Sequence, residues 1–245
     1  KESSAASDVY KRQLGTQPTH GAIGRCGRCH TWIVGGLWCD EPMSSRPPVG
    51  QPGYDALADL YAQTFPTAFQ SDLERHVVDC FADLLLTEDA SMPSVVDVGC
   101  GPGHVAGHLA DRGCAVVGVD PSRAMLDHAR RTHAGITFLA GDARAVDAPL
   151  ETCAGVLARF SLIHVEPTAL PGIVRGWHRR VRAGTLLLVA AQASDDSGVH
   201  EFDHLVSRAW RWHPDSLAQM LGDNGFDEEF RVVSRPDADN RFPAV

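Results

Sequence analysis

The stretch Val95-Val-Asp-Val-Gly-Cys-Gly-Pro-Gly103 runs a short apolar strand into a glycine-rich turn. Glycine serves such a turn because its backbone can take positive φ and approach a ligand with no Cβ in the way. Gly99, Gly101 and Gly103 meet that need. Their spacing, G-x-G-x-G behind an acid, differs from the G-x-G-x-x-G of pyrophosphate-binding dinucleotide folds. Asp97 would repel a pyrophosphate and attract a cationic group, so the pattern disfavours a nicotinamide dinucleotide and suits a cofactor carrying ammonium or sulfonium charge.

S-adenosylmethionine carries both charges, and with these residues the chain resembles the class I S-adenosylmethionine-dependent methyltransferases, in the small-molecule group whose first motif reads D-x-G-C-G-x-G. Four later stations agree in order. Cys114–Asp120 reads as a second buried strand ending in an acid. Ile136–Ala140 reads as a third, ending in Gly141-Asp142-Ala143. Ala154–Phe160 is a fourth, followed by the loop Ser161-Leu-Ile-His164, and Arg180–Val189 reads as a helix end, glycine turn and fifth strand. Strands alternating with helical patterns imply an α/β fold, a Rossmann-like doubly wound sheet.

The resemblance implies a cofactor site built from Asp97, Gly99, Cys100, Gly101, Gly103, Asp120, Pro121, Met125, Gly141, Asp142, Ala143, Phe160 and Ser161. In it Asp120 accepts the ribose hydroxyls and Asp142 the adenine amino group. Simpler readings stand beside these. Asp120, followed by Pro121, suits a helix cap, and Asp142 after Gly141 suits a turn. Met125 is assigned to the cofactor and Leu126 to the core. His164, beside the expected methyl site, is the candidate base; the alternative is an imidazole that only ties down its loop. Tyr54 and Tyr61 on an N-terminal helix are candidates for contact with the cofactor's carboxylate end or the acceptor, with helix packing as the simpler reading, and His200, His204 and Trp210 in the aromatic segment Val199–Trp212 are candidates for acceptor contact. The function expected is in-line methyl transfer to a small-molecule acceptor, with a binding module lacking transfer as the alternative.

Composition sets the remaining bounds. The formal charge is −9, and without a basic run there is little to neutralise phosphates, which disfavours nucleic acid as substrate. No apolar run approaches the ~20 residues of a membrane span. Cysteines in apolar positions suggest reduced thiols and a cytoplasmic location.

Residues 1–42 stand apart. Both lysines of the chain, Lys1 and Lys11, lie there, with Cys26, Cys29 and Cys39. Asp8-Val-Tyr-Lys-Arg-Gln13 is what one frame of a transposon-end adapter encodes, so this tract is expected to be a non-native or disordered leader. Cys26-Gly-Arg-Cys29-His30 has the form of haem attachment or of half a zinc site; as leader sequence it implies no metal. Residues 43–93 are expected to form a helical lid, with helices over Tyr54–Phe69 and Ser71–Thr87, and residues 94–245 the cofactor-binding domain. His213–Phe226 reads as a helix closed by Gly225, and Glu229–Arg235 as a sixth strand. Phe242–Val245 breaks off where a seventh would begin, so the sheet is expected to lack its last strand.

Overall fold

A computed structural model describes residues 52–86, 92–204, 206–234 and 244–245. The expected leader, its cysteine motif and most of the lead-in to the lid lie outside these residues. The chain order is α1 (Pro52–Thr64), α2 (Asp72–Leu85), β1 (Ser94–Val98), α3 (His104–Asp111), β2 (Ala115–Asp120), α4 (Arg123–Thr132), β3 (Thr137–Ala140), β4 (Gly155–Arg159), α5 (Leu170–His178), β5 (Leu186–Ala190), β6 (Val199–Phe202), β7 (Ala209–Trp212) and α6 (Pro214–Asp223).

Strands β1 to β5 form one parallel sheet in the order β3-β2-β1-β4-β5. Helices cover both faces, so the strands are apolar on both sides. Because successive strand residues point to opposite faces, Val95 packs with Val78, Phe81 and Leu85 of α2 and Leu109 of α3. Val96 and Val98 pack with Leu170, Val174 and Trp177 of α5. Strand order reverses between β1 and β4, and the loops after all five strands open at one end of the sheet, the position where such folds bind ligands.

Several expected boundaries move for local reasons. The first helix stops at Thr64 instead of Phe69, since the residue before Pro66 is driven out of the helical region. Asp120 is not a helix cap: Ser122 takes that place, its hydroxyl accepting from the Met125 amide at 3.2 Å. The loop after β3 is pinned by Arg180, which donates to the carbonyls of Ala145 and Ala148, and by the Trp177 indole, which donates to Ala143.

The expected sixth strand does not form. Residues 226–233 are irregular, and Ser234 alone makes a bridge, to Ala244. Among the described residues, the far edge of β5 is met only by Ala244 and Val245, which pair with Gln192 and Ala191. A segment at 229–235 therefore has almost no ladder to join. The aromatic segment after β5 instead folds as the antiparallel hairpin β6–β7, pairing Val199 with Trp212 and Phe202 with Ala209.

Candidate active site

The turn after β1 is dictated by close packing. Gly99 has φ +77°, and a Cβ there would lie 2.1 Å from the Cβ of Ser161. Ser161 in turn donates its hydroxyl to the Val98 carbonyl at 2.6 Å, tying the β4 loop to β1. Gly101, at φ +52°, faces open space. Gly103 occupies the left-handed N-cap position of α3. Cys100 is buried, so the turn presents backbone, not the thiol, to the cleft.

Two carboxylates stand behind this turn. Asp97 is 3% exposed, and its Oδ2 has no hydrogen-bond partner. Burial and the neighbouring Asp120 charge push its pKa up to about 7, against the pull of Arg159. Asp120 accepts from the amides of Gly101 and Ser122, both at 2.8 Å. Those bonds lower its pKa, but burial outweighs them and raises it to about 6.

The other expected cofactor residues fall in different settings. Gly141 and Asp142 line a separate small cavity of about 200 Å³ beside β2 and β3, which Ala143 does not line. Asp142 is exposed and held by Arg144, which donates through its backbone amide at 2.9 Å and its guanidinium at 2.5 Å. Its turn-forming role is thus realised, and any other donor would have to share its oxygens. Pro121 is exposed and Met125 is buried at the base of α4. Phe160 has φ +52°, unusual for a residue with a side chain, and lies against the Arg159 guanidinium at 5.0 Å.

A cavity of about 1020 Å³ extends from Asp97, Gly99 and Gly101 past Tyr54, Tyr61 and Phe160 and on around the open edge of β5. On its lid side the Tyr54 hydroxyl meets His164 Nε2 at 2.9 Å, while His164 Nδ1 meets the Arg208 carbonyl at 2.9 Å. A carbonyl can only accept, so Nδ1 carries the proton, Nε2 is bare, and Tyr54 donates to it. Burial keeps His164 neutral by lowering its pKa. Tyr54 and His204 line the cavity and His164 stands behind Tyr54. His204 packs edge-on against His164 at 4.8 Å. His200 is exposed and bonded to the Ser197 carbonyl of its own loop, and Trp210 is buried beneath Arg208, so the structure does not bring these two to the cavity.

Some participants gave no sequence signal. Asp55 of α1 accepts from the Ser122 hydroxyl at 2.7 Å and the Ala124 amide at 3.1 Å, and Asp59 meets His128 at 2.7 Å. These contacts fasten the lid helix over α4. Arg159 forms an ion pair with Glu74 of α2 at the cavity wall.

A parallel sheet with this strand order, and an acid-backed glycine turn at its reversal, defines a Rossmann-like cofactor-binding enzyme fold. Residues 95–184 match the family described as Methyltransferase domain. The malonyl-[acyl-carrier protein] O-methyltransferase of Enterobacter lignolyticus is 29% identical over 150 residues, 61% of this chain and 57% of that protein. The trans-aconitate 2-methyltransferase of Streptomyces coelicolor is 32% identical over 141 residues, 54% of this chain and 45% of that protein. The chain thus spans about half the length of these curated relatives. Among solved structures, magnesium protoporphyrin IX methyltransferase from Synechocystis with bound S-adenosylmethionine aligns with a TM-score of 0.58 at 16% identity, covering 79% of this chain and 91% of that one. The 1,6-didemethyltoxoflavin-N1-methyltransferase of Burkholderia thailandensis, with bound S-adenosylhomocysteine, aligns with a TM-score of 0.56 at 18% identity, covering 82% and 91%. Residues 95–184 thus match a methyltransferase domain, and the chain shares the fold of methyltransferases solved with S-adenosylmethionine or its product.

S-adenosylmethionine is bound in the solved structure of the Synechocystis protein, and the residues present here fit it. The orphaned Asp97 oxygen matches an ammonium group, Gly101 leaves open the space a side chain would fill, and each Asp120 oxygen has acceptor capacity left after its amide bond.

Proposed function

We propose that this domain transfers a methyl group from S-adenosylmethionine to a small-molecule acceptor. The observation that carries the reading is the buried, unpartnered carboxylate oxygen of Asp97 beside the open glycine turn. A buried acceptor without a donor is costly unless a ligand supplies one. When bound, the cofactor supplies an activated methyl on a sulfonium. Asp97 would hold the ammonium and Asp120 the ribose hydroxyls. The turn 99–103 shapes the approach, and the loops at Gly141–Ala143 and Phe160–Ser161 close the flanks, with Asp142 toward the adenine. The chain's main task is alignment, since positioning alone can supply several kcal/mol of a displacement barrier.

An acceptor that must lose a proton meets Tyr54 first. Its phenol lines the cavity and is polarised by the bare Nε2 of His164, so the two form a relay in which Tyr54 touches the acceptor and His164 stores the proton. His164 is then a positioning and proton-holding residue instead of the direct base expected from sequence. The lid helix, fastened to α4 through Asp55 and Asp59, covers one side of the cavity. This pair at the cavity wall favours transfer over a binding module without chemistry, and the acceptors named for relatives, malonyl-[acyl-carrier protein] and trans-aconitate, support a small acceptor group. Among the described residues no helix is long and apolar enough to cross a membrane. The thiols of Cys80, Cys100, Cys114 and Cys153 are free, which supports a cytoplasmic setting.

Calorimetry with S-adenosylmethionine, followed by incubation with the labelled cofactor and a metabolite extract, tests the reading. Failure to bind the cofactor, or binding without any labelled product, overturns it.

A further inference from the structure

The wall of the cavity on the lid side is a continuous row of rings. Phe202 meets His204 at 5.7 Å, His204 meets His164 at 4.8 Å, His164 meets Tyr54 at 5.4 Å, and Tyr54 meets Tyr61 at 6.0 Å, each edge to face. Tyr61 continues to Phe65 at 4.8 Å. Such a surface favours a flat ring over a flexible chain, because edge and face contacts are both available to it.

The charges around this wall are matched within the protein. Arg159 is held by Glu74, with Asp97 nearby. Arg208 is held by Glu166 at 2.5 Å and Glu201 at 3.0 Å. Arg211, 5.7 Å from the Phe202 ring, is offset by Asp195 and Asp196. Each of these three arginines faces an acid, while Arg182 lines the cavity elsewhere, at the edge of β5. His164 and His204 are both kept neutral by burial, His204 with its pKa pushed down to about 3. An anionic acceptor lying against this wall would therefore lose its hydration to arginines that acids already offset.

What the wall does offer is hydrogen-bond acceptors. His204 Nδ1 is buried without a partner, as is Gln192 Oε1, and both residues line this cavity. In the tautomer with Nδ1 bare, a donor on the ligand would satisfy it, as a donor would satisfy Gln192 Oε1.

We infer that the acceptor is a neutral, flat, hydroxylated aromatic compound, with one hydroxyl at Tyr54 and a second donor received by His204. This deepens the proposed methyl transfer and rests on it. The class follows from the juxtaposed rings, the acid-paired arginines of this wall and the unpartnered Gln192 and His204 atoms, and it ranks a neutral diol above a diacid at this wall.

A matched pair of probes tests it: naphthalene-2,3-diol and naphthalene-2,3-dicarboxylate, titrated into the full chain saturated with S-adenosylhomocysteine. The diol is expected to bind at least about tenfold tighter than the diacid. His204→Phe, which keeps a ring and removes the acceptor, should weaken the diol about tenfold and 2-naphthol, with its single hydroxyl, much less, while S-adenosylhomocysteine affinity stays within about twofold. A diacid bound as well as the diol, or no diol binding at all, overturns the inference even where the cofactor binds. Failure of S-adenosylhomocysteine itself to bind overturns the methyltransferase reading instead. Because the diol-to-diacid comparison is made on the unmodified protein, it stands even if the variant folds poorly.

Discussion

Tyr54 of the lid helix and His164 of the loop after β4, 110 residues apart, share a hydrogen bond of 2.9 Å in which the phenol is the donor. The direction is fixed from the other side of the imidazole, where Nδ1 must donate to the Arg208 carbonyl. The pair thus ties the lid helix to the loop after β4 through an imidazole of fixed tautomer.

Tyr54→Phe should therefore lower kcat by about 10²–10⁴-fold for an acceptor that must be deprotonated, the usual span for a positioned base. S-adenosylmethionine affinity should change little. His164→Gln should lower kcat similarly and remove the acid limb of the pH profile. That limb should lie below the ordinary histidine range, because burial lowers the pKa of His164. Equal losses in kcat and cofactor affinity would assign the pair a purely structural role.

With Asp97 as the proposed partner of the cofactor's ammonium group, cofactor binding should depend on pH. Its pKa of about 7 means that the carboxylate is partly protonated near neutrality, and pairing with an ammonium requires the charged form. Affinity for S-adenosylhomocysteine should fall by up to about tenfold per pH unit below 7. The sign for folding is opposite. The folded value lies above the ordinary 3.8, so the unfolded chain releases this proton first and the ligand-free protein loses stability as pH rises from about 4 through about 7. Asp97→Asn should thus melt higher than the parent at pH 8 without ligand and near it at pH 4, while losing cofactor affinity at both. Thermal melts across pH, with and without ligand, check this.

The glycines of the turn separate folding from binding. In Gly99→Ala the new methyl would meet Ser161 at 2.1 Å with a positive φ as well, so its melting temperature should drop by several degrees. Gly101→Ala meets nothing within 4 Å. It keeps only a modest φ penalty of about 1 kcal/mol, yet its methyl enters the cavity, so cofactor affinity should fall more than stability. Calorimetry alongside melts distinguishes the two.

Asp120 and Asp142 should differ in weight. Asp120 is 8% exposed and organises two backbone amides, so Asp120→Ala should cost roughly 1.5–3 kcal/mol of cofactor binding. Asp142 is exposed and already paired with Arg144, and exposed pairs contribute ~1 kcal/mol or less. Asp142→Ala should weaken binding less than Asp120→Ala. Arg144→Ala should leave affinity equal or raise it, by freeing the carboxylate for another donor; a large loss there would mean that Arg144 itself holds the ligand.

The amino-acid sequence by itself determined the parallel α/β order, the glycine turn and the acids behind it. These depend on local demands: positive φ at Gly99, Gly101 and Gly103, apolar runs long enough for buried strands, and an acid closing β2 at Asp120. Such requirements act within a few residues and are written there. The tertiary structure decided which side chains meet. Asp55 with Ser122 and Tyr54 with His164 are separated by 67 and 110 residues, and no periodicity encodes a partner at that distance. It also demoted expectations that sequence could not test. Ser122 took the cap from Asp120, His200 turned outward onto Ser197, and 229–233 stayed irregular, because a cap needs a geometry, a pocket needs converging walls and a strand needs a ladder, and each of these is supplied by the packed neighbours and not by the segment itself.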